Sequence, residues 1–224
     1  MSTLDFVQTF IQDPKTPWNN YIHHSFVTQL AEGTLHKACF QYYLKQDYLY
    51  LFQYARTLGL IAFKAEDFQQ IEQAQKDLHI TLQEIQLHIQ YCKEWGINES
   101  DLLTTKEDIA CLAYTRFVLD CGISGSLAEL YAAVAPCTLG YAQIGQWIKE
   151  KQISQGITTE NSQNPYQAWI DTYASEDFQQ AAKNMAATLN GLCQDLTMKQ
   201  LNKVKNIFAT ATELEENFWQ MSKV

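Results

Sequence analysis

The sequence predicts an all-α protein, built as one compact helical bundle and one domain over residues 1–224. Apolar residues recur at spacings of three and four along almost the whole chain, which is the period of an amphipathic helix. No alternating strand pattern or Asn-Gly hairpin turn is found. Only 4 prolines and 9 glycines occur among the 224 residues, and no stretch has the composition of a linker or of an internal repeat.

Caps and helix breakers set the bounds of the nine or ten helices that this pattern indicates. Ser, Thr or Asp before an apolar run favours a helix start, and Gly or Pro favours an end. The predicted helices run from a cap at Ser2 or Thr3 to Pro14, from Pro17 to Gly33, from about His36, after a cap at Thr34, to Lys64, from Glu66 to Gly96, from Ile109 to Gly122, through Cys137 to about Gln152, from Pro165 through Tyr173, from a cap at Ser175 to Thr197, and from Met198 to Met221.

The helical period also predicts which side chains are buried and which stretches are loops. Residues 98–106 and 154–164 are predicted to be loops. The side chains expected in the core are Ile71, Leu78, Leu82, Ile85 and Tyr91 of the fourth helix, and Ile109, Leu112, Ala113, Phe117 and Leu119 of the fifth.

Composition and charge exclude several classes of partner. The formal net charge is −9, with 25 acidic and 16 basic residues, and no run of Lys or Arg is present. Binding to a phosphate backbone or an anionic membrane surface needs clustered positive charge, so neither nucleic acid nor a membrane is an expected partner. The amino terminus lacks the features of a signal peptide, and no run of about 18 uncharged apolar residues is present. We therefore expect a cytoplasmic protein.

The spacing of the cysteines and histidines predicts no metal site. The six cysteines are widely separated and form no C-x-x-C pair, which is typical of reduced thiols in a cytoplasmic protein. No C-x-x-C pair accompanies the histidines, so zinc is not indicated. Glu84 and His88 lie four residues apart on one predicted helix, where such a pair makes only a weak contact.

One cysteine has an unusual setting. Pro136 stands immediately before Cys137 in LYAAVAPCTLGYAQIG, an otherwise helix-forming run, and is expected to kink the helix and leave a backbone carbonyl free. Cys137 shares a helix face with Leu130, Val134 and Tyr141, so its thiol should face the interior or an enclosed pocket. An inert buried thiol is the common role for such a cysteine, and a nucleophile is the alternative.

Two acidic residues share a helix face with large aromatic side chains. Asp47, Tyr50 and Tyr54 lie at positions i, i+3 and i+7, and Glu215 precedes Phe218 by three residues. A buried carboxylate requires partners. From the residues alone, Asp47 either ties two helices together or binds a ligand.

Six segments match, in order and at about the same spacings, segments of one known protein family. They are Trp18 with HHSFVTQLAEGTL, YYLKQDYLYL, AYTRFVLDCGISGSLAEL, AAVAPC with YAQIG, NPYQAWIDTY and TELEENFW. Each is weak evidence alone, but the ordered set is specific and spans most of the chain. The chain therefore resembles the TenA/thiaminase II family. The resemblance implies a haem-oxygenase-like helical fold that binds no haem and uses no cofactor.

The resemblance also implies an activity and a set of site residues. Family members hydrolyse an aminopyrimidine or thiamine at the methylene on C5 of the pyrimidine, which gives hydroxymethylpyrimidine for thiamine salvage. They usually form homotetramers. The implied catalytic residues are Cys137 as nucleophile, Glu215 as acid/base and Asp47 as the pyrimidine-binding carboxylate. The implied substrate-binding residues are Asp47, Tyr50, Tyr114, Tyr173 and Phe218.

The chain departs from the family pattern at a few positions, and other functions stay open. Ser25 replaces the proline of an H-P-F segment, and Thr138 and Leu139 follow the cysteine where aromatic residues are common. These last two leave the choice between thiamine and a degraded aminopyrimidine open. A haem or di-iron oxidase would need a ligand such as His24 or paired E-x-x-H motifs, and the motifs are absent. A non-catalytic pyrimidine- or thiamine-binding protein is the other alternative.

Overall fold

The regular secondary structure of the described residues is entirely helical. The computed structural model describes residues 4–221, and within that range eleven α-helices and no strand occur. The helices are α1 (Phe6–Ile11), α2 (Trp18–Ile22), α3 (Ser25–Glu32), α4 (Lys37–Lys64), α5 (Phe68–Glu94), α6 (Glu99–Thr104), α7 (Ile109–Ser124), α8 (Leu127–Ser154), α9 (Gln167–Ala174), α10 (Glu176–Cys193) and α11 (Met198–Gln220). The prediction of an all-α fold is confirmed.

Two short helices replace the single one predicted from Pro17 to Gly33. The imidazole Nδ1 of His24 accepts a hydrogen bond from the backbone N–H of Phe26 at 3.1 Å, and it thereby caps a new helix, α3. The prediction was therefore wrong at this break. Gly33 does end α3, in the left-handed conformation (φ 71°) that glycine adopts without strain.

The caps of α1 and α4 also differ from the prediction. The predicted cap residues Ser2 and Thr3 lie outside the described residues, and the side chain of Asp5 caps α1. α4 is capped by the His36 imidazole rather than by Thr34. An imidazole nitrogen can accept from a helix N–H as a hydroxyl does, which the usual cap preferences do not anticipate.

Three local features of the helices depart from simple start and stop signals. α6 forms within a stretch predicted as a loop, and the Asp101 carboxylate accepts from the backbone N–H of Asn98 at 2.9 Å. α7 continues past Gly122, where a Cβ would lie 2.8 Å from a side-chain carbon of Leu60. The glycine therefore permits close packing and does not end the helix. α8 runs through Pro136 without interruption, and the predicted kink stays a prediction.

The buried faces of α5 and α7 are only partly those predicted. Ile71 and Leu82 of α5 are exposed, whereas Ile85 is buried. On α7, Ile109 and Leu112 are exposed. The buried residues of α7 are Cys111, Tyr114, Thr115, Val118, Cys121 and Gly122. Because α7 carries apolar residues on more than one face, the period alone could not identify the face that packs inward.

The described residues divide into two compact units. The terminal unit contains residues 4–35 together with Tyr131–Trp219, and the central unit contains His36–Leu130 together with the residues from Gln220 onward. The prediction of one domain stays a prediction.

The terminal unit has a core built largely of aromatic rings. Trp219 stacks on Phe26 with ring centroids 4.9 Å apart, and Trp18 stacks on Phe208 at 5.8 Å. The Trp18 indole N–H donates to the side-chain oxygen of Gln143 at 2.9 Å, so the polar edge of this buried ring is satisfied.

The segment N-P-Y of the terminal unit fixes the end of α3. The Asn164 side-chain amide donates to the carbonyls of Leu30 and Ala31 at 2.9 and 3.1 Å, and its oxygen accepts from the N–H of Tyr166 at 2.9 Å. The phenol of Tyr166 also donates to the carbonyl of Leu35. One short segment thus satisfies several carbonyls that the end of a helix leaves without helical partners.

The central unit is organised around α4, which packs against α5 and α7. The buried amide of Gln46 ties α4 to the start of α7, because it donates to the carbonyl of Lys106 at 3.0 Å and accepts from the N–H of Asp108 at 2.9 Å. Lys64 at the end of α4 donates to the carbonyl of Gly125 at 2.7 Å. Both ends of the α4–α7 contact are therefore held by specific hydrogen bonds.

Two glycines of α8 allow very close approach within the terminal unit. A Cβ at Gly140 would lie 2.1 Å from Cε1 of Tyr21, and a Cβ at Gly145 would lie 2.5 Å from the carbonyl carbon of Tyr173. Real side chains do not tolerate such distances. The Tyr21 phenol lies 3.4 Å from the carbonyl of Pro136, one turn before Gly140, so the ring packs directly on this part of α8.

We predict that Gly140→Ala lowers the free energy of unfolding by about 1–3 kcal/mol, because the added methyl would overlap the fully buried Tyr21 ring. Gly191→Ala is the matched control. Gly191 also lies inside a helix, but its Cβ would meet open space, so the substitution should stabilise the protein by about 0.5–1 kcal/mol. Urea unfolding of both variants measures the difference. Equal stabilisation by the two substitutions would show that the Tyr21 ring moves aside at no cost, and would contradict this prediction.

Candidate active site

Asp47 lies on the buried side of α4 in the central unit. Its side chain and that of the preceding Gln46 are both buried, and 8% of the Asp47 surface is exposed. Tyr50, one turn further along α4, is also buried. The bulky neighbours of Asp47 in the sequence predict that it is partly buried, and this prediction is confirmed.

A stack of three tyrosines lies on the same face of α4 as Asp47. The Tyr50 ring stacks on Tyr54 with centroids 6.0 Å apart, and on Tyr114 of α7 with centroids 5.6 Å apart. The rings of each pair are inclined by about 20°. The central unit therefore brings together Asp47, Tyr50 and Tyr114 of the predicted site residues, with flat aromatic surface beside a carboxyl group.

Helix α5 adds two titratable side chains to this face. The His88 imidazole Nε2 lies 2.8 Å from the carbonyl oxygen of Leu44, and its Nδ1 lies 3.6 Å from Oδ2 of Asp47. Glu84, one turn before His88, interacts electrostatically with both His88 and Asp47. We call Asp47, Glu84 and His88 the acid-imidazole cluster.

Burial dominates the electrostatics of the acid-imidazole cluster. Loss of solvent raises the pKa of Asp47 to about 7. Burial, together with the nearby Asp47 carboxylate, raises the pKa of Glu84 to about 7, and His88 partly opposes that rise. Burial also lowers the pKa of His88. Near neutral pH both the protonated and the ionised form of each acid are therefore populated. A group that titrates in this range is useful for acid/base chemistry.

Cys137 lies on α8 in the terminal unit and is partly exposed. The residues that share its helix face, Leu130, Val134 and Tyr141, are all buried. The thiol is thus at the margin of a buried face. The expectation that it faces the interior or a pocket stays a prediction.

Glu215 and Phe218 are buried on α11 in the same unit. Glu215 is 1% exposed and Phe218 is 2% exposed. Trp219, which follows Glu215 by one helical turn, lies 5.2 Å from the ring of Tyr141. Tyr141 in turn follows Cys137 by one turn on α8. The helices that carry the thiol and the carboxyl group therefore meet through an aromatic contact one turn beyond each group.

Tyr173 on α9 belongs to the same aromatic group. Its ring lies 4.8 Å from Tyr141, 4.5 Å from Trp169 and 4.9 Å from Phe178. Gly145 lets the backbone at Tyr173 lie directly on α8. The terminal unit thus contains four of the predicted site residues, Cys137, Glu215, Phe218 and Tyr173.

The other cysteines have surroundings different from that of Cys137. Four of the six, Cys92, Cys111, Cys121 and Cys193, are buried, and only Cys39 is partly exposed as Cys137 is. Burial raises the pKa of Cys92 to about 12 and that of Cys193 to about 11, and it raises the pKa of Cys111 still further. These three thiols hold their protons at neutral pH and are poor nucleophiles.

The structure also bears on the alternative functions of a haem or di-iron protein and of a membrane protein. His24 is buried and its Nδ1 accepts from a backbone N–H, so this nitrogen has a structural role as a helix cap. Within residues 4–221, no group of three or more His, Cys, Asp or Glu side chains has an arrangement that could hold a metal ion. No helix in that range has an apolar stretch long enough to cross a membrane.

The sequence predicts only a weak helix pair of Glu84 and His88, and their interactions with Asp47 appear only in the structure. A signal for them was present in α5. Ile85 and Cys92 are buried there at a spacing of seven residues, and His88 lies between them on the same stripe. Two titratable residues on a buried stripe require partners from a neighbouring helix, and Asp47 was already expected to be buried.

Comparison with known proteins gives the same fold and family. The model of the TENA/THI-4/PQQC family matches residues 12–223. An uncharacterized protein of Haemophilus influenzae is 54% identical over 215 residues, which cover 96% of this chain and 97% of that protein. A Halalkalibacterium halodurans protein named aminopyrimidine aminohydrolase is 36% identical over 220 residues, with 98% and 96% covered.

A solved structure supports the same assignment. The crystal structure of a TenA family transcription regulator from a Silicibacter species has a TM-score of 0.86 and 36% identity, and the match covers 98% of this chain and 96% of that one. The fold and its buried acids and aromatics thus define an all-helical protein of the TenA type. The chain belongs to the TENA/THI-4/PQQC family.

We predict that a limiting amount of iodoacetamide labels Cys137 first and Cys39 second, and that the buried thiols react at least about a hundredfold more slowly. Mass spectrometry of the peptides measures the order. Cys39→Ser is the matched control, because it removes the other partly exposed thiol and should leave the rate at Cys137 unchanged. Labelling of Cys92 or Cys111 before Cys137 would contradict the prediction that burial protects these thiols.

Proposed function

We propose that this protein is an aminopyrimidine aminohydrolase of thiamine salvage, which hydrolyses 4-amino-5-aminomethyl-2-methylpyrimidine and, as a second substrate, thiamine. The observation that carries the proposal is 36% identity, over nearly the whole of both chains, to a protein named aminopyrimidine aminohydrolase. With the first substrate, water replaces the amine on the C5 methylene, and the products are hydroxymethylpyrimidine and ammonia. We further propose that the protein acts in the cytoplasm as a homotetramer.

Asp47 is proposed to bind the pyrimidine. A carboxylate accepts hydrogen bonds from an exocyclic amine and from a protonated ring nitrogen, and such charge-assisted bonds are worth about 1.5–3 kcal/mol each. Its buried position beside the stacked rings of Tyr50 and Tyr114 supports this role, because a flat heterocycle packs favourably against aromatic faces.

Cys137 is proposed to supply the nucleophile. Its thiolate adds to the pyrimidine ring, and the electron pair displaced through the ring expels the amine from the C5 methylene. Water then adds to the methylene, and departure of the thiolate restores the aromatic ring. Partial exposure on a helix face that is otherwise buried supports this role, because the thiol is accessible from one side only.

Glu215 is proposed to move the protons of this reaction. It donates a proton to the departing amine and takes one back from the water that adds to the methylene, so that its own state is restored. Burial of Glu215 and of Phe218 on the same helix supports this role, since an enclosed acid is shielded from solvent. Tyr173 and Phe218 are proposed to contact the substrate ring.

A transcriptional role has one observation in its favour, because the Silicibacter relative is named a transcription regulator. The net charge of −9 and the absence of Lys or Arg runs disfavour contact with a nucleic-acid backbone. We therefore favour catalysis. A protein that binds hydroxymethylpyrimidine but forms none from either substrate would be a binding protein.

The wild-type protein is expected to form hydroxymethylpyrimidine from both substrates, and faster from the aminomethylpyrimidine than from thiamine.

Cys137→Ser should stay folded and bind hydroxymethylpyrimidine, but turn over substrate at least about a hundredfold more slowly, because covalent catalysis is lost. Product chromatography measures both rates, with Cys39→Ser as the control. A near-normal rate in Cys137→Ser would remove the thiol from the mechanism.

Glu215→Gln is expected to lower kcat by about 10²–10⁴, because glutamine keeps the volume of the side chain but cannot transfer a proton. Glu213→Gln on the exposed side of α11 is the control and should keep normal turnover. Circular dichroism checks that both variants are folded. If Glu215→Gln unfolds, or keeps its kcat, the residue is structural and the acid/base role is wrong.

A further inference from the structure

We propose that His88 is a positioning residue for Asp47: its imidazole holds the carboxyl group and takes up the carboxyl proton when a ligand that donates hydrogen bonds arrives. The inference rests on the proposed function, because it assigns a role to the side chain behind the pyrimidine-binding carboxylate. It concerns a residue that the sequence analysis treated only as part of a weak helix pair.

The tautomer of His88 follows from its contacts. Its Nε2 lies 2.8 Å from the backbone carbonyl oxygen of Leu44, and a carbonyl oxygen can only accept a hydrogen bond. Nε2 therefore carries the proton. In the neutral imidazole, Nδ1 then has a lone pair, and this lone pair lies on the side of Asp47, 3.6 Å from Oδ2.

This arrangement gives Asp47 and His88 two states with the same number of protons. In one state Asp47 is a neutral acid and His88 is a neutral base. In the other, one proton has moved from Oδ2 to Nδ1, which leaves a carboxylate beside an imidazolium. The net charge of the pair is zero in both states, so the change needs no proton from solvent. The 3.6 Å separation is ion-pair contact, and transfer of the proton requires the two groups to approach further.

The titratable groups of the central unit that interact electrostatically with Asp47 include Glu84 and Cys92 on α5 and Cys111 on α7, and Tyr50 shares its face of α4. Both thiols stay protonated, because burial raises the pKa of each. Above its own pKa of about 7, Glu84 carries a negative charge that favours the imidazolium, because it raises the pKa of His88 against the larger lowering by burial. In the free protein the neutral pair is therefore the more populated state, and the charged pair is the less populated one.

A ligand shifts this balance through its own donors. An aminopyrimidine presents N–H groups that bind more strongly to a carboxylate than to a neutral acid. Ligand binding therefore favours transfer of the proton to Nδ1, by the difference in its affinity for the two states. Without His88, burial would leave Asp47 mostly protonated below its pKa of about 7, and ligand affinity would fall there.

The matched test compares His88→Gln with His79→Gln. Glutamine can still donate to the Leu44 carbonyl, but it has no basic nitrogen for the Asp47 proton. His79 lies on the same helix and is exposed. Calorimetric titration with hydroxymethylpyrimidine is carried out from pH 6 to pH 8.5. The ratio of the two affinities cancels titration of the ligand itself.

His88→Gln is expected to bind severalfold, and at most about tenfold, more weakly than His79→Gln at pH 6, and with nearly equal affinity at pH 8.5. The upper limit follows because an acid with a pKa of about 7 is about one-tenth ionised at pH 6 and only the ionised fraction binds strongly, whereas the pair that keeps His88 is only partly in its charged state. An affinity ratio that does not change with pH would overturn the proposal.

A second measurement uses the free protein and needs no ligand or variant of His88. Nitrogen NMR of the assigned His88 imidazole should show its proton on Nε2, as for the cap residues His24 and His36, and Asp47→Asn should change the shift of the His88 Nδ1 and the titration of His88. If His88 titrates near pH 6.5 in both proteins, the pair does not exist and the proposal fails. If the pair is present but wild-type protein binds no pyrimidine, it is the proposed function that fails.

Discussion

Close packing against α8 is the constraint on which the terminal unit depends. Gly140 and Gly145 have no side chains, so the Tyr21 ring and the backbone at Tyr173 lie where a methyl group would otherwise be. Both glycines follow Cys137 within about two helical turns, and Tyr141 between them contacts Trp219 of α11. The same section of helix therefore sets the position of the Cys137 thiol, of Tyr173 and of the helix that carries Glu215. Interiors packed at this density transmit small displacements, so changes at these glycines should affect the site residues as well as stability.

Burial of Asp47 and Glu84 lowers the stability of the folded protein near neutral pH. The folded protein holds the protons of Asp47 and Glu84 more tightly than the unfolded chain does, because burial raises both pKa values to about 7. The free energy of unfolding therefore falls as pH rises from about 4 to about 7, where the unfolded chain has already released these protons. Apolar residues in place of Asp47 and Glu84 would avoid this cost. The burial of the two acids is therefore consistent with a role in binding or chemistry rather than in folding.

The sequence was sufficient for the fold class, most of the long helices and the burial of Asp47, because these depend on local periodicity and on the cost of exposing apolar surface. It was not sufficient for contacts between helices. His24 and His36 cap helices through their side chains, which depends on the conformation of the backbone before the helix. The buried face of α7 depends on its neighbours, because several faces are apolar. The partner of Asp47 was harder to identify, because Glu84 and His88 come from another helix whose rotation is set by packing, and the buried stripe of α5 indicates only that these two residues need partners.

Asp47 is a buried acid that lies beside an imidazole and a second carboxyl group. Charge on Asp47 is therefore coupled to charge on two other titrating groups. Groups that interact so closely release their protons in steps that belong to the whole cluster. Any pH dependence of pyrimidine binding should thus report on Asp47, His88 and Glu84 together, and a single substitution in the cluster should change the titration of the other two.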